Sequence, residues 1–411
     1  MSRADTTPTS SEGSIDVVVV TQFFPPEGQG GGHRWQKFIQ QHTESELNYR
    51  VITTPPAYPF GEFDRTYRPW KTEAIDGTPV TRLWTYQPRE NAGSIGRILN
   101  YGIFAVFATL YMLVNFWRYD IVVTMSTPHT TFLPGAVGKA LGRTWIIDIF
   151  DLWLDNAADL EYTDKDSLGY QLVAWLEHIA FHHANHIIVL TPTMKRFYLK
   201  KYDINPDRLT PIPFGVDRNL FDPTINQESE PYITYVGNLG TFYAFEPYFR
   251  AFAQLDEKYK LYIIGWGEER ERLETLSSDL KIEDRVIFTG RIPRKDVAEY
   301  LASAKLNLVP LKTEYQLGYA RPTKMLEGMA VGTPYVASPI KEIQFVTKKG
   351  NTGRVAENNA QKILSEMEIL LNDDELRHNM GESCIEFIES NHRWDSLASK
   401  IRCILVSSAS K

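Results

Sequence analysis

Eleven short apolar runs, most of them β-branched and separated by stretches with helical spacing, leave this chain few folds to choose from. Ile15–Val20 (IDVVVV) is apolar almost without alternation, the pattern of a strand covered on both faces. Residues 49–53, 80–84, Ile121–Met125, 145–149 and 187–190 continue the series. The polar, proline-bearing segment 222–230 (DPTINQESE) interrupts it and reads as a linker. The pattern restarts at Tyr232–Val236 and runs through Lys260–Ile264, 285–289, 306–310 and 334–337. Strand–helix–strand alternation of this kind builds a parallel sheet with helices on both faces. The expectation is an α/β protein with two doubly wound domains, 15–220 and 230–390, and a C-terminal helix within 391–411 that packs on one or the other.

A chain of 411 residues suits two to four domains at roughly 100–200 residues each. With 43% hydrophobic and 23% charged residues it has a soluble, globular composition, which excludes a polytopic membrane protein. The net charge of −7 offers no basic excess, so no nucleic-acid partner is expected. Two cysteines, Cys384 and Cys403, build neither a disulfide framework nor a zinc module, and a reducing cytosol fits. Residues 1–14 lack the apolar core of a secretory signal and read as a disordered tail.

In open α/β sheets, ligands settle beyond the carboxyl ends of the strands. After the first run comes Gln22-Phe23-Phe24-Pro25-Pro26-Glu27, then Gly28-Gln29-Gly30-Gly31-Gly32. Gly30 and Gly31 would let the backbone and the free N–H groups of the next helix approach a ligand. No Gly-Lys-Ser/Thr closes the loop, so it is not a Walker loop. Segment 320–334 (ARPTKMLEGMAVGTP) puts Pro322 in the first turn of a helix that Gly332 ends. That N-terminus favours an anion such as a phosphate, and Arg321 and Lys324 add charge there. Glu327 lies on about the same face as Lys324, placed to accept hydrogen bonds from sugar or ribose hydroxyls; the same two residues also suit an ordinary surface pair.

The string Pro322-x-Lys324-x-x-Glu327-x-Met329-Ala330-x-Gly332-x-Pro334, followed by a strand and Ser338, resembles the donor-site motif of glycosyltransferase family 4, whose GT-B fold has two facing Rossmann-like domains. In chain order, 22–27 resembles the family's first loop and 148–153 (DIFDLW) a segment of its O-antigen and capsule branch. Likewise 235–240 (YVGNLG) resembles the opening strand of the second domain, 263–268 (IIGWGE) its Gly-x-Gly turn, and 286–291 (VIFTGR) the strand beside the nucleotide base. The resemblance implies sugar transfer from a nucleotide-sugar co-substrate, a UDP-sugar ahead of a GDP-sugar, with retention of configuration and without metal or other cofactor. It implies Glu327, Lys324, Arg321 and Asp151 as catalytic residues. Donor contacts would be Gly30, Gly31, Gly237, Asn238, Gly265, Arg291 and Glu327. Tyr319 stands where many members have the first of two glutamates, Asn238 and Tyr243 where they have an Arg and a Lys, and Phe150 where they have a His or Arg. Those departures leave Arg321 and Lys324 as the nearest cations for a diphosphate.

Asp164-Lys165-Asp166 lies in a polar loop rather than after an apolar strand, so a solvated loop is expected and no metal site. His178, His182 and His186 recur every four residues and read as a partly buried helix face rather than a metal face. Residues 98–117 carry no charge and are flanked by Arg97 and Arg118. At 1.5 Å per residue they reach across a bilayer of about 30 Å. Strands before and after them belong to one sheet, however, so a helix lying in the membrane plane or in the core is expected instead of a span. Tyr101, Phe104, Phe107, Tyr111, Phe116 and Trp117 suit such an interface. The reading is a transferase peripheral on the cytoplasmic membrane face, acting on a lipid-linked or other glycan. Its rivals are a GT-B-like sugar-nucleotide epimerase and a non-catalytic membrane-associated scaffold with a decayed donor site.

Overall fold

The computed structural model describes residues 13–27, 31–58, 60–89, 94–126, 128–159, 164–225, 231–313, 319 and 321–409. Residues 1–12 of the expected tail at 1–14 and the expected ligand contact Gly30 lie outside them. The first domain runs β1 (Ile15–Val20), α1 (Gly31–Gln41), β2 (Leu47–Thr53), β3 (Trp70–Ile75), β4 (Thr78–Leu83), α2 (Ser94–Asn115) and β5 (Ile121–Met125). It continues through α3 (Phe132–Ala140), β6 (Thr144–Ile149), α4 (Trp153–Asp159), α5 (Leu168–His183), β7 (His186–Val189), α6 (Pro192–Tyr202) and β8 (Leu209–Pro211). The second holds β9 (Tyr232–Val236), α7 (Phe245–Phe252), β10 (Lys260–Ile264), α8 (Arg270–Asp279), β11 (Val286–Gly290), α9 (Arg294–Ser303) and β12 (Leu306–Val309). Then follow α10 (Thr323–Ala330), β13 (Tyr335–Ala337), α11 (Lys341–Gly350), β14 (Gly353–Val355), α12 (Ala360–Asn372), α13 (Asp374–Asn391) and α14 (Trp394–Ala409).

The first eight strands form one sheet in the order β3-β4-β2-β1-β5-β6-β7-β8, parallel except for β3 against β4. The other six form β11-β10-β9-β12-β13-β14, all parallel. The unbroken valines of β1 have the expected cause. Val17 and Val19 enter one apolar cluster, Val18 and Val20 another on the opposite face. The first cluster takes Trp35 and Phe38 of α1; the second takes Phe104, Ala108 and Met112 of α2. Thus α2 lies along the sheet. Three strands absent from the sequence reading are an exposed edge interrupted by Lys71, Thr72 and Glu73 (β3) and two three-residue pieces without an apolar run (β8, LTP; β14, GRV).

The C-terminal helix α14 returns to the first domain. Leu397, Ala398, Ile401 and Leu405 are buried beside Trp35 and Phe38, and Arg402 pairs with Glu46 at 2.7 Å. The chain therefore crosses between domains twice, and the crossings bind each other: Val216 N–H donates to His392 O at 2.8 Å. A Cβ on Gly215 would come within 2.4 Å of the Trp394 ring. The first crossing is also clamped from α1. Buried Arg34 donates to Asp148 at 3.0 Å, to Ile212 O at 2.8 Å and to Pro213 O at 2.6 Å. Satisfying three acceptors offsets part of the desolvation of a buried guanidinium.

Candidate active site

Reversal of strand order between β9 and its neighbours β10 and β12 opens a crevice at the carboxyl edge of the second sheet. Three glycines finish the adjacent strands there. Gly237 donates to Ile264 O at 2.8 Å and Gly265 to Gly290 O at 2.9 Å. Gly237 and Gly265 have φ of 139° and 144°, and a Cβ on Gly265 would stand 1.9 Å from Gly237 O. Only glycine fits, and the result is a ledge of bare backbone.

Helix α10 rises from behind this ledge. Asn307 of β12 donates to Lys324 O at 3.2 Å and fixes its first turn. The Lys324 side chain is buried, with Nζ donating to Tyr235 Oη at 2.8 Å. Nζ also stands 3.9 Å from the centre of the Tyr243 ring and 4.4 Å from that of Tyr235. A Cβ on Gly237 would meet this nitrogen at 2.6 Å, so the ammonium sits directly against the ledge. Burial pushes Lys324 down to about 7, with Glu327 acting the other way. One turn on, Glu327 accepts from Arg294 of α9 at 2.7 Å, and its side chain is only 14% exposed. Burial raises its carboxyl, while Arg294 and then Lys324 oppose that. Nothing in the sequence pattern singled out Arg294; it is found only because α9 starts beside α10.

Arg321 corrects an expectation. Its Nε donates to Glu342 of α11 at 3.1 Å, an Nη stands 3.4 Å from His392 Nε2, and its side chain is 9% exposed. Burial holds His392 down at about 3, so the ring is neutral; with Nδ1 donating to Phe214 O at 2.7 Å, Nε2 is left to accept from Arg321. The other Glu342 oxygen accepts from Thr193 N of α6 at 3.0 Å. Arg321 is thus committed to the domain junction by a carboxylate invisible in its own segment, and Lys324 is the cation set against Gly237.

Among the other expected residues, Asn238 follows the ledge, and its carbonyl accepts from Tyr235 Oη at 2.5 Å. Arg291 reaches across the domains to Glu62 at 3.2 Å. Gly31 opens α1. Its neighbour Gly32 permits close packing, since a Cβ there would stand 2.0 Å from Phe23 O. His33 of α1 faces the second domain. Partial desolvation, then Lys37 and Arg294, push its imidazole below the usual value.

Asp151 belongs to a separate group at the end of β6. It accepts from Asn156 at 3.0 Å; burial raises its carboxyl, with His129 pulling it down. His129, between β5 and α3, packs against Trp153 with ring centroids 5.6 Å apart, and its Nε2 lies 2.8 Å from buried Glu177. Glu177 also accepts from Lys201 at 2.8 Å. Burial works against its charge, but His129 and Lys201 prevail and hold it at about 2. The sequence reading missed His129, although a histidine four residues past a strand's carboxyl end was a usable signal. The expected partly buried histidine face does not form: His178 and His182 of α5 are exposed and stacked 4.0 Å apart, and His186 lies beyond the helix as the first residue of β7. Asp164 accepts from Asp166 N at 2.9 Å in the turn before α5. Among the described residues no three His, Cys, Asp or Glu side chains gather as a metal-ligand set.

Residues 14–215 match the description "Glycosyl transferase 4-like domain" and residues 217–387 "Glycosyl transferases group 1". An uncharacterised glycosyltransferase of Methanocaldococcus jannaschii is 23% identical over 404 residues, covering 92% of this chain and 95% of that protein. A D-inositol 3-phosphate glycosyltransferase of Corynebacterium aurimucosum is 24% identical over 70% of this chain and 71% of its own length. Anabaena HepE, solved in complex with UDP, superposes with a TM-score of 0.70 over 96% of this chain and 100% of that one, at 14% identity. Both domains being matched in sequence and the whole architecture shared, the chain belongs to the GT-B glycosyltransferases of family 4.

Proposed function

We propose that this glycosyltransferase moves a sugar from a UDP-sugar, ahead of a GDP-sugar, to a lipid-linked glycan at the cytoplasmic face of a membrane, with retention of configuration, in surface polysaccharide or glycoconjugate synthesis. The observation that carries the donor side is Lys324 Nζ set against the bare ledge of Gly237 and Gly265, with Glu327 one turn away. A diphosphate lies on such a ledge without meeting a side chain, next to a cation and a helix N-terminus. The bond from the anomeric carbon to the phosphate oxygen breaks and one to the acceptor oxygen forms; the acceptor proton passes to the leaving phosphate. The protein supplies alignment and charge. UDP in the HepE complex supports the base assignment. An acceptor carrying phosphate, as in the name of the Corynebacterium relative, supports an anionic acceptor. Incubating the enzyme with a membrane lipid extract and a panel of nucleotide sugars, then reading products by mass spectrometry, tests the proposal; a glycosylated lipid from one donor is expected. Chelator is expected to leave that rate unchanged, and a loss restored by Mn²⁺ would contradict the charge assignment to Lys324.

Donor binding should depend on pH through Lys324. Its charged form is half populated near pH 7 and is the form a diphosphate favours. UDP-sugar affinity is therefore expected to fall as pH rises above 7, by up to about tenfold per unit for one proton taken up. Kd measured by calorimetry from pH 6 to 8.5 checks this; a flat profile contradicts it.

Membrane contact is assigned to α2. The stretch Ile95–Arg118 has a mean hydropathy of 1.6, and its outer face shows Ile98 (66% exposed), Val106 (53%), Leu110 (51%) and Val114 (60%). The expected aromatic edge needs revision. Phe104 is core, Tyr111 bonds to Tyr119, and only Phe107 and Trp117 are open. Each half-exposed aliphatic contributes about 1 kcal/mol when its area leaves water. Val106→Gln, Leu110→Gln and Val114→Gln together are expected to weaken binding to anionic-lipid vesicles by roughly a hundredfold while the fold survives. Vesicle sedimentation reads the effect, and undiminished binding would remove α2 from the interface.

A further inference from the structure

A cavity of about 270 Å³ opens in the first domain past the carboxyl ends of β2 and β4. That is several times the roughly 30 Å³ a liquid water occupies. Ala57, Phe63, Asp64, Arg65, Gln87 and Arg89 line it. The lining side chains carry two positive charges, Arg65 and Arg89, against one negative, Asp64, with the buried Glu27 carboxylate behind Ala57, accepting from its N–H at 2.7 Å. Among the described residues, neither arginine makes an ion pair or a side-chain hydrogen bond; Arg65 lies over the Tyr86 ring, 6.0 Å from its centre. Gln87, by contrast, is buried and spent on the wall, accepting from Thr66 N at 2.9 Å and donating to Thr66 O at 2.8 Å.

The cavity lies between the two halves of the proposed reaction. On one side Glu62, next to lining residue Phe63, pairs with Arg291 beside the second domain's ledge. On the other, its rim is tied to α2: Asn100 donates to Tyr86 O at 2.6 Å, and Thr85 Oγ1 donates to Asn100 O at 2.5 Å. Gln22 completes the tie, donating to Asn100 Oδ1 at 2.8 Å.

We propose that Arg65 and Arg89 form a site for the phosphate or diphosphate of the acceptor, an inference resting on the transferase reading above. Guanidinium forks match phosphate oxygens, and neither is consumed by a neighbouring acid. The acceptor would be held by an anion remote from the hydroxyl that reacts.

The test uses the full chain with saturating UDP, so that the donor ledge is filled, and titrates inorganic pyrophosphate, farnesyl diphosphate and neutral farnesol. Arg65→Gln with Arg89→Gln is expected to weaken both diphosphates by about a hundredfold, with UDP affinity unchanged. Arg65→Lys with Arg89→Lys, which keeps the charge and loses the fork, is expected to fall between. Tighter farnesyl diphosphate than pyrophosphate assigns a lipid source; equal affinity assigns a soluble phosphate ester; both uphold the site. Unchanged diphosphate affinity in the Gln pair, no diphosphate binding to the unaltered protein, or farnesol binding as well as farnesyl diphosphate overturns it. Failure of both UDP and GDP to bind would instead overturn the transferase reading.

Discussion

Replacing Lys324 with Met is expected to lower turnover by about 10²–10³-fold, the usual loss when a preorganised charge on a developing anion is removed. The structure singles out this lysine because Arg321, its companion in sequence, is tied to Glu342. Stability should move the other way or stay level. The folded-state value of Lys324 is depressed from 10.5 to about 7, so between those values the unfolded chain binds more protons than the folded one. Stability contributed at this site therefore rises with pH across that window, and at pH 7 the buried ammonium is a burden. Met removes the burden at similar volume, at the loss of one hydrogen bond to Tyr235. Lys324→Met with full activity would show that the diphosphate is neutralised elsewhere; a large fall in Tm with lost activity would mean that the ammonium mainly holds the fold. The kinetic split matters too: kcat should suffer more than donor KM, because the charge it answers grows in the transition state.

Glu327→Gln should cost roughly 1.5–3 kcal/mol, or about 10- to 150-fold in donor use, by weakening charge-assisted hydrogen bonds to sugar or ribose hydroxyls. Arg294 holds the carboxylate from the side and keeps it oriented. Glutamine keeps the size and one acceptor oxygen, so it leaves the packing of α10 intact and isolates the charge. Arg294→Ala should then give a smaller loss than Glu327→Gln, since Arg294 is 64% exposed and acts through its partner. Kinetics of both variants under donor-limited conditions decide the matter. Near-native rates for Glu327→Gln would remove it as the hydroxyl anchor.

Fold was readable from this sequence because buried parallel strands print unbroken apolar runs. Those of β1, β5 and β9 run five or six residues. Edge strand β3 was lost because Lys71, Thr72 and Glu73 break any apolar run, and β8 (LTP) and β14 (GRV) because, unlike the equally short β13 (YVA), they carry no apolar run. At the site, Lys324 and Glu327 were legible as a local helix pattern beginning at a proline. What Arg321 does was not, because Glu342 and His392 lie 21 and 71 residues away in the chain. Arg294 and the His129–Glu177 contact were missed for the same reason: each joins different elements, and one sequence records no such pairing. Phe104 shows the limit of composition on α2. An apolar helix facing both core and surface has no charge to mark its faces, and only packing against Val18 and Val20 separates them.

The central claim is that a nucleotide diphosphate sits on the ledge of the second domain, against Lys324 and the start of α10. Hydrogen–deuterium exchange on the full chain with and without saturating UDP measures that directly. Slowed exchange is predicted at 237–241, 265–269 and 321–327, with the first domain's α2 and α5 unaffected. Saturable UDP binding with protection confined to the first domain, or the absence of binding by both UDP and GDP, would contradict the account.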